Sequence, residues 1–523
     1  MIQIFDGSQI DLLLSVNDEY ITKEVESFKR YSSKDTVNIE LNRVSIETLD
    51  TLLKVLKDDG KNSSNSYNVT KVAIDIIKNP STAKVSKLSN LPDALNSIFD
   101  SLSNRMLFKA DKDGSVNAYT VLRATFHPAT SKDTSSYVSV SFKYYSKGSN
   151  TNTSITYYST DIRSGASAVN LLMDKGFILE TPELIEAYNE DKEFWGSILK
   201  NHGQQYLIKS YSALDSWGRH ERLETSADIK AVNNFGEFSK IESVSSLTIG
   251  GKDIEQAIHF YVPTFVLDKH TNVWASTSGL KIYEYNPDIK SKLILHPDHE
   301  DLIDALADTY TVEMDDIIEN KSGGTVVLAT GTAGVGKTTT AEVLSEVIKR
   351  PLYKINVSSL GTDPIKIEES LEKAFQRANS WEAILLLDEA DLYIMERDNN
   401  IQHNAIVTVF LKGLEYSKGL TFLTTNKGKN VDDAILSRCT AIIHYELPEG
   451  VSRQKLWTIL SSQFDLNISD DLISKLVETY PNVSGRDIKM LCILVYKYTK
   501  SKNIEPTFEV FKKLSVFRNM EKL

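Results

Sequence analysis

The sequence predicts an α/β module of parallel strands with a small helical lid, preceded by an α+β N-terminal region. Three observations predict it. Residues 325–338, TVVLATGTAGVGKT, set a glycine-rich turn between an apolar strand and the start of a helix. Residues 384–389, ILLLDE, form an apolar run ending in two adjacent acids, which suits a strand buried on both faces of a parallel sheet. From Val451 onward strand-like runs stop and helical spacing of apolar residues takes over.

A chain of 523 residues is long enough for several domains. The reading divides it into 1–289, with a split near 165 as one option, then 290–448 and 449–523. In the first part, Tyr137 to Tyr145 alternates Val138, Val140, Phe142 and Tyr144 on one face, and SKGSNTNT and ITYY follow. This predicts a hairpin with a long mobile tip. Thr181, Pro182 and Glu183 supply a cap, a first-turn proline and an acid, so a helix should run from there towards Gly203. GKNSSNSYN at 60–68 reads as a loop. DKDG at 111–114 begins like a calcium loop, but Leu122 stands where the closing acid would be, so a hairpin turn is preferred. HPDHED at 296–301 reads as a helix start with Asp298 as the cap rather than as a metal cluster.

The second part alternates strands and helices, which argues for a parallel sheet covered on both sides. A helix is expected from Thr339 to Ile348, a strand from Leu352 to Val357, and a helix carrying Ile367, Leu371 and Phe375 that ends before Trp381. Another helix should span His403 to Tyr416, followed by the strand LTFLTTN at 420–426 and a short strand from Ala441 to Glu446. In the third part, apolar residues at Leu456, Ile459 and Leu460, at Leu472, Leu476 and Val477, and at Ile488, Leu491, Leu494 and Val495 mark the lid helices.

The chemistry concentrates in the second part. Gly331, Thr332, Ala333, Gly334, Val335, Gly336, Lys337, Thr338 and Thr339 carry the spacing G-x-x-x-x-G-K-T of a P-loop. Its glycines let backbone N–H groups face phosphates, and the helix that follows adds positive potential. Lys337 is expected to reach the β- and γ-phosphates of ATP, and Thr338 to ligate Mg2+. Asp388 and Glu389 stand where ligands gather in such sheets, at the carboxyl end of a strand. The run LLLDEAD at 385–391 spells the signature of a class of RNA helicases. That reading fails, because neither the Ser-Ala-Thr element nor the length for a second such domain follows.

The order GTAGVGKT, ILLLDE, TTN and then an arginine after a short helix resembles the AAA+ ATPases over roughly residues 296–500. KRPLYKINVSSLGTD at 349–363 and AILSRC at 434–439 look especially like a subgroup of the AAA family that joins one module to a long N-terminal region. The resemblance implies a role for each matching residue. Asp388 belongs to the magnesium shell, and Glu389 polarises the attacking water. Asn426 orients that water, Arg438 reaches a neighbour's γ-phosphate, and Arg486 contacts nucleotide from the lid. It further implies a homo-oligomer, a hexamer in most of the family, that remodels a protein substrate recruited by the N-terminal region. A nucleic-acid-associated loader and a nucleotide-gated scaffold stay open as alternatives. The chain departs from threading relatives at Ser359-Leu360-Gly361, where those carry an aromatic residue that grips the passing polypeptide.

Composition fits this reading. A formal net charge of −12 argues against a broad nucleic-acid surface, and two cysteines, Cys439 and Cys492, are too few for a disulfide framework. Neither a basic-apolar leader nor a membrane-length apolar run is present, so a cytoplasmic chain without membrane insertion is expected. Every phosphate-contacting residue named lies within 290–523, so that segment is expected to bind ATP by itself.

Overall fold

The computed structural model describes residues 2–6, 10–31, 36–40, 44–58, 70, 85–110, 116–130, 134–162, 166–214, 220–234, 242–308, 324–397, 399–428 and 430–520. The loops read at 60–68 and 111–114 lie outside them.

At the N-terminus β1 (Ile2–Asp6) pairs antiparallel with β2 (Thr36–Glu40). The helices Glu19–Tyr31 and Ile46–Asp58 bury Ile21, Val25, Leu49, Leu52 and Leu56 against Met106, Phe108 and Tyr188. The chain then runs through β3 (Met106–Ala110), β4 (Val116–His127), β5 (Tyr137–Ser146), β6 (Ser149–Tyr158) and β7 (Phe177–Leu179). Next come β8 (Gln205–Leu214), β9 (His220–Asn233), β10 (Ser246–Ile249), β11 (Lys252–Glu255), β12 (Ala257–His259), β13 (Tyr261–Val266), β14 (Thr271–Ser276) and β15 (Leu280–Ile282). Apart from β10 and β11, which pair only with each other, they form two large sheets, ordered β12-β5-β4-β3-β7 with β6 on β5, and β14-β13-β9-β8-β15. The first sheet takes strands from both sides of residue 165. The helix Pro182–Lys200, capped by Thr181 as its sequence predicts, passes from one to the other, with Tyr188 in one core and Ile198 in the next.

The hairpin β5–β6 forms, and Val138, Val140 and Phe142 are fully buried. Its tip is not long. Lys147 and Gly148 alone make the turn, with φ of 49° and 78°, the paired positive values that a two-residue turn matching strand twist requires. Asn150 to Thr153 continue as strand, because an edge strand tolerates polar side chains on both faces. The Asn150 amide also donates to Glu242 Oε2 at 2.9 Å.

The second half holds β16 (Thr325–Gly331), β17 (Leu352–Asn356), β18 (Ile384–Asp388), β19 (Leu420–Thr425) and β20 (Ala441–Tyr445), all parallel, in the order β17-β18-β19-β16-β20. The helices Pro364–Ser380 and Ile401–Leu414 cover one face through Ile367, Leu371, Phe375, Val407 and Phe410. Lys337–Ile348 and Pro297–Asp308 cover the other through Ala341, Leu344 and Ile303. The latter helix opens at Pro297, one residue before the expected cap Asp298, since proline's fixed φ suits the first helical position. Four helices, Gly450–Gln463, Asp470–Thr479, Gly485–Lys502 and Phe508–Ser515, build the lid around Trp457, Leu476, Ile488, Leu491, Val495 and Phe511. Among the described residues no helix is long and apolar enough to cross a membrane.

The second N-terminal sheet does not stand apart from this module. Val232, Phe265 and Leu267 belong to the same core as Tyr353, Phe375 and Trp381. The Phe265 and Trp381 rings lie 5.0 Å apart, and Trp381 Nε1 donates to Asn234 Oδ1 at 3.3 Å. Glu346, on the helix that follows the glycine loop, is nearly buried. Its carboxylate binds three residues that precede residue 290: Tyr283 Oη at 2.6 Å, the Asn286 N–H at 2.9 Å and Lys230 Nζ at 3.4 Å.

Candidate functional site

A parallel sheet brings the ends of its strands to one edge, and here Gly331, Asp388, Thr425 and Tyr445 share that edge. The cleft above it, about 1220 Å³, is lined by Ala333 to Thr339, Lys354, Asp388, Glu389, Thr424, Asn426 and Arg486. Leu293–Leu295 and the lid residues Leu456, Ile459 and Leu460 line it as well. These three lid residues therefore line the cleft, while the neighbouring Trp457 fills the lid core.

Two glycines of the loop cannot be replaced. A Cβ on Gly331 (φ 141°) would stand 2.2 Å from the Tyr445 carbonyl oxygen of β20. One on Gly334 (φ 84°) would stand 2.7 Å from both Arg486 Cβ and Ser484 Oγ. The lid thus touches the loop, and the Arg486 N–H donates to the Gly334 carbonyl at 3.3 Å. Ser484 and Asp487 cap the helix that carries Arg486, which fixes its first turn against the loop.

Lys337 opens its helix and folds its ammonium back over the loop. Nζ donates to the carbonyls of Gly331 (2.7 Å) and Thr332 (2.6 Å) and to Asn426 Oδ1 (2.9 Å). Burial pulls its pKa below the ordinary lysine value; Asp391 and Asp388 oppose that pull and Arg486 reinforces it.

Asp388 and Glu389 take different environments although adjacent. Asp388 Oδ1 accepts from Thr338 Oγ1 at 3.0 Å and Thr424 Oγ1 at 2.5 Å, while Oδ2 pairs with Lys354 Nζ at 3.0 Å. Burial would raise its pKa, but the bonds from Thr424, Lys354 and Thr338 outweigh it and hold the carboxyl below the usual range. Glu389 has a left-handed backbone (φ 57°), which a glutamate adopts only when its surroundings impose it. Its N–H donates to Thr424 Oγ1 at 3.0 Å, and its Oε2 accepts from Asn356 Nδ2 at 3.2 Å.

Three further residues shape the site. Asp391, the last letter of the DEAD run, accepts at Oδ1 from Thr425 Oγ1 (2.5 Å) and from the Asn426 N–H (2.9 Å), which locks the end of β19. Thr424 ties Asp388 to Glu389. Lys354 supplies a second ammonium. The sequence offers no local signal for these contacts, because each joins elements that are adjacent only after the sheet forms.

Arg438 is not brought to the cleft. Its Nη2 pairs with Glu415 Oε1 at 2.8 Å and its Nη1 donates to the Ala434 carbonyl, on the exposed side of the short helix Asp433–Leu436. Leu360 packs partly against the module core, and the Gly361 carbonyl accepts from Tyr393 Oη at 2.5 Å. Burial raises both thiols, Cys439 to about 11 and Cys492 to about 12.

The donor set fits magnesium. Thr338 Oγ1 and the Asp388 carboxylate are hard oxygen donors, few enough that substrate phosphates and water would complete the shell. Among the described residues no group of three or more His, Cys, Asp or Glu offers a competing metal site.

Residues 327–447 match the family model described as ATPase family associated with various cellular activities (AAA). A putative 26S proteasome regulatory subunit homolog of Methanothermobacter thermautotrophicus is 32% identical over 176 residues, 31% of this chain and 46% of that protein. Fidgetin-like protein 1 of Drosophila melanogaster is 27% identical over 176 residues, 32% of this chain and 34% of that protein. This chain therefore spans less than half the length of these curated relatives. A crystal structure of the FIGL-1 AAA domain shares 18% identity over 44% of this chain and 83% of that one, at a TM-score of 0.35.

Proposed function

The chain belongs to the AAA family of ATPases, and from that premise we propose that it hydrolyses ATP in a homo-oligomeric ring to remodel a protein partner. The observation that carries this reading is the meeting of Lys337, Thr338, Asp388, Glu389 and Asn426 at one strand edge beneath a glycine loop.

Each residue has a task set by its position. The loop N–H groups and Lys337 take the phosphates, the ammonium exchanging its carbonyl partners for phosphate oxygens. Thr338 and Asp388 would hold Mg2+, which would supply positive charge to offset the negative charge that develops on the transferred phosphate. Glu389, kept at the strand end by its backbone bond to Thr424, polarises the attacking water as general base. Asn426, fixed through Asp391, orients the same water, and Arg486 senses nucleotide from the lid. Arg438 leaves Glu415 and serves the neighbouring subunit's site, which is why a ring, in our reading a hexamer, is needed. Threading is not part of the proposal, because Leu360 is drawn towards the core. Recruitment is assigned to the N-terminal region, and within it to the outer sheet and the helices before residue 200, since the second sheet is already engaged.

Lys337→Ala is expected to abolish ATP binding, and Glu389→Gln to bind ATP but lose turnover. Near-normal turnover by the glutamine variant sinks the assignment. Mixed rings of Arg438→Ala and Lys337→Ala subunits should recover part of the activity that each lacks alone. Rings shown to contain both subunits yet without activity would exclude a shared site.

A further inference from the structure

We infer that Lys354 is a second lysine of the phosphate site, whose ammonium occupies the Asp388 carboxylate and competes with Mg2+ for it. The inference rests on the reading of the cleft as a Mg2+–nucleotide site, and the test below separates the two.

Strand β17 alternates in the ordinary way, with Tyr353 and Ile355 buried and Lys354 and Asn356 on the opposite face. That face turns to the two acids at the end of β18. Asn356 reaches Glu389, and Lys354 reaches Asp388 Oδ2 at 3.0 Å. Parallel pairing places Asn356 beside Asp388 and Lys354 beside Leu386, so the lysine stem must run forward along the sheet to bring its charge there. Lys354 also lines the cleft that holds Lys337, Glu389 and Asn426. A merely solvated strand charge would point away from this cavity.

Both carboxylate oxygens of Asp388 are engaged. Oδ1 accepts from Thr338 and Thr424, and Oδ2 is taken by Lys354. A cation approaching Oδ2, directly or through its water, must displace the ammonium. Lysine suits an exchangeable role, because its charge is a point on a flexible stem rather than a rigid fork. Its side chain is 44% exposed, so it can withdraw into solvent. Two consequences follow. Without metal, the nucleotide phosphates meet two ammonium groups, Lys337 and Lys354. With metal, part of its binding free energy goes into breaking the Lys354–Asp388 pair.

The experiment follows binding of a fluorescent, non-hydrolysable ATP analogue to the full chain as Mg2+ is titrated into EDTA-stripped protein. Lys354→Met and Lys354→Gln are expected to lower the Mg2+ midpoint about threefold to fivefold, the worth of a half-exposed ion pair. In EDTA the same variants should bind the analogue more weakly than wild type. Lys354→Arg keeps the charge and grips a carboxylate as a fork, so its midpoint is expected at or above the wild-type value, not below it. Midpoints for both neutral variants within about twofold of wild type, or an arginine variant lowered as far as they are, overturn the inference. Wild-type protein that binds no nucleotide overturns the site reading itself, and this inference with it. Thermal melts of the two neutral variants show which of them is folded, and either one suffices.

Discussion

The two large N-terminal sheets are buried by different parts of the chain. The sheet β12-β5-β4-β3-β7 is covered by residues of its own region: Leu95 and Phe99 pack under Val121, Val138 and Phe142, and the first helices pack on Phe108. The sheet β14-β13-β9-β8-β15 sends Val232, Phe265 and Leu267 into the core of the parallel-sheet module. One sheet is therefore a domain in the ordinary sense, and the other completes a neighbour. The chemistry begins after residue 290, but the hydrophobic core that supports it begins at Val232.

Cutting the chain at 290 tests that comparison with the largest expected effect. Removing three buried apolar residues of about 1.5–3 kcal/mol each forfeits roughly 5–9 kcal/mol. That is comparable to the whole stability of an average domain, about 5–15 kcal/mol. The cut also removes Tyr283, Asn286 and Lys230 from the nearly buried Glu346. A segment 180–523 should therefore melt cooperatively and bind the ATP analogue. Residues 290–523 should bind an apolar dye and hold nucleotide poorly, although they carry every phosphate-contacting group. Equal melting temperatures and equal affinities for the two segments would make the second sheet an appendage.

A subtler break is Trp381→Ala. Trp381 is fully enclosed by Phe265, Tyr353 and Asn234, and its truncation should cost about 3–5 kcal/mol. Phe99→Ala removes a comparable side chain from the first sheet. Monitored by denaturant titration, the tryptophan variant should lower nucleotide binding and folding of the second sheet together. The phenylalanine variant should loosen the first sheet while the nucleotide affinity holds. If both variants move nucleotide binding alike, the two sheets are one cooperative unit.

How much of this was legible in the sequence follows from the range of each interaction. The P-loop, the strand ending in Asp388 and Glu389, and the strand ending in Asn426 are contiguous motifs whose geometry is set by a few consecutive residues, and the parallel sheet follows from their alternation. The contacts of Lys354, Thr424 and Asp391 depend on which strands become neighbours, and no local spacing encodes that order. The hairpin tip was misread because SKGSNTNT is polar throughout; only Lys147 and Gly148 turn, and polarity does not separate a loop from an edge strand. Trp381 shows the same limit, since an aromatic residue after a helix gives no sign that a partner arrives from more than a hundred residues upstream.

The smallest effect concerns His270, in the turn between β13 and β14, which touches the strand that carries Lys354. Its Nε2 lies 2.9 Å from the Lys354 carbonyl oxygen, and its ring sits against Phe265 and Tyr353. The bond is exposed, so His270→Ala should lower stability by only about 1 kcal/mol. It holds the backbone of Lys354 and not the ammonium, and β17 stays fixed by its pairing with β18. The Mg2+ midpoint of analogue binding is therefore expected to match wild type, in contrast to Lys354→Met. A shift in that midpoint without loss of folding would give the second sheet a direct hold on the metal site through β17. It would then be a regulator of the module as well as part of its core, a distinction that burial alone does not draw.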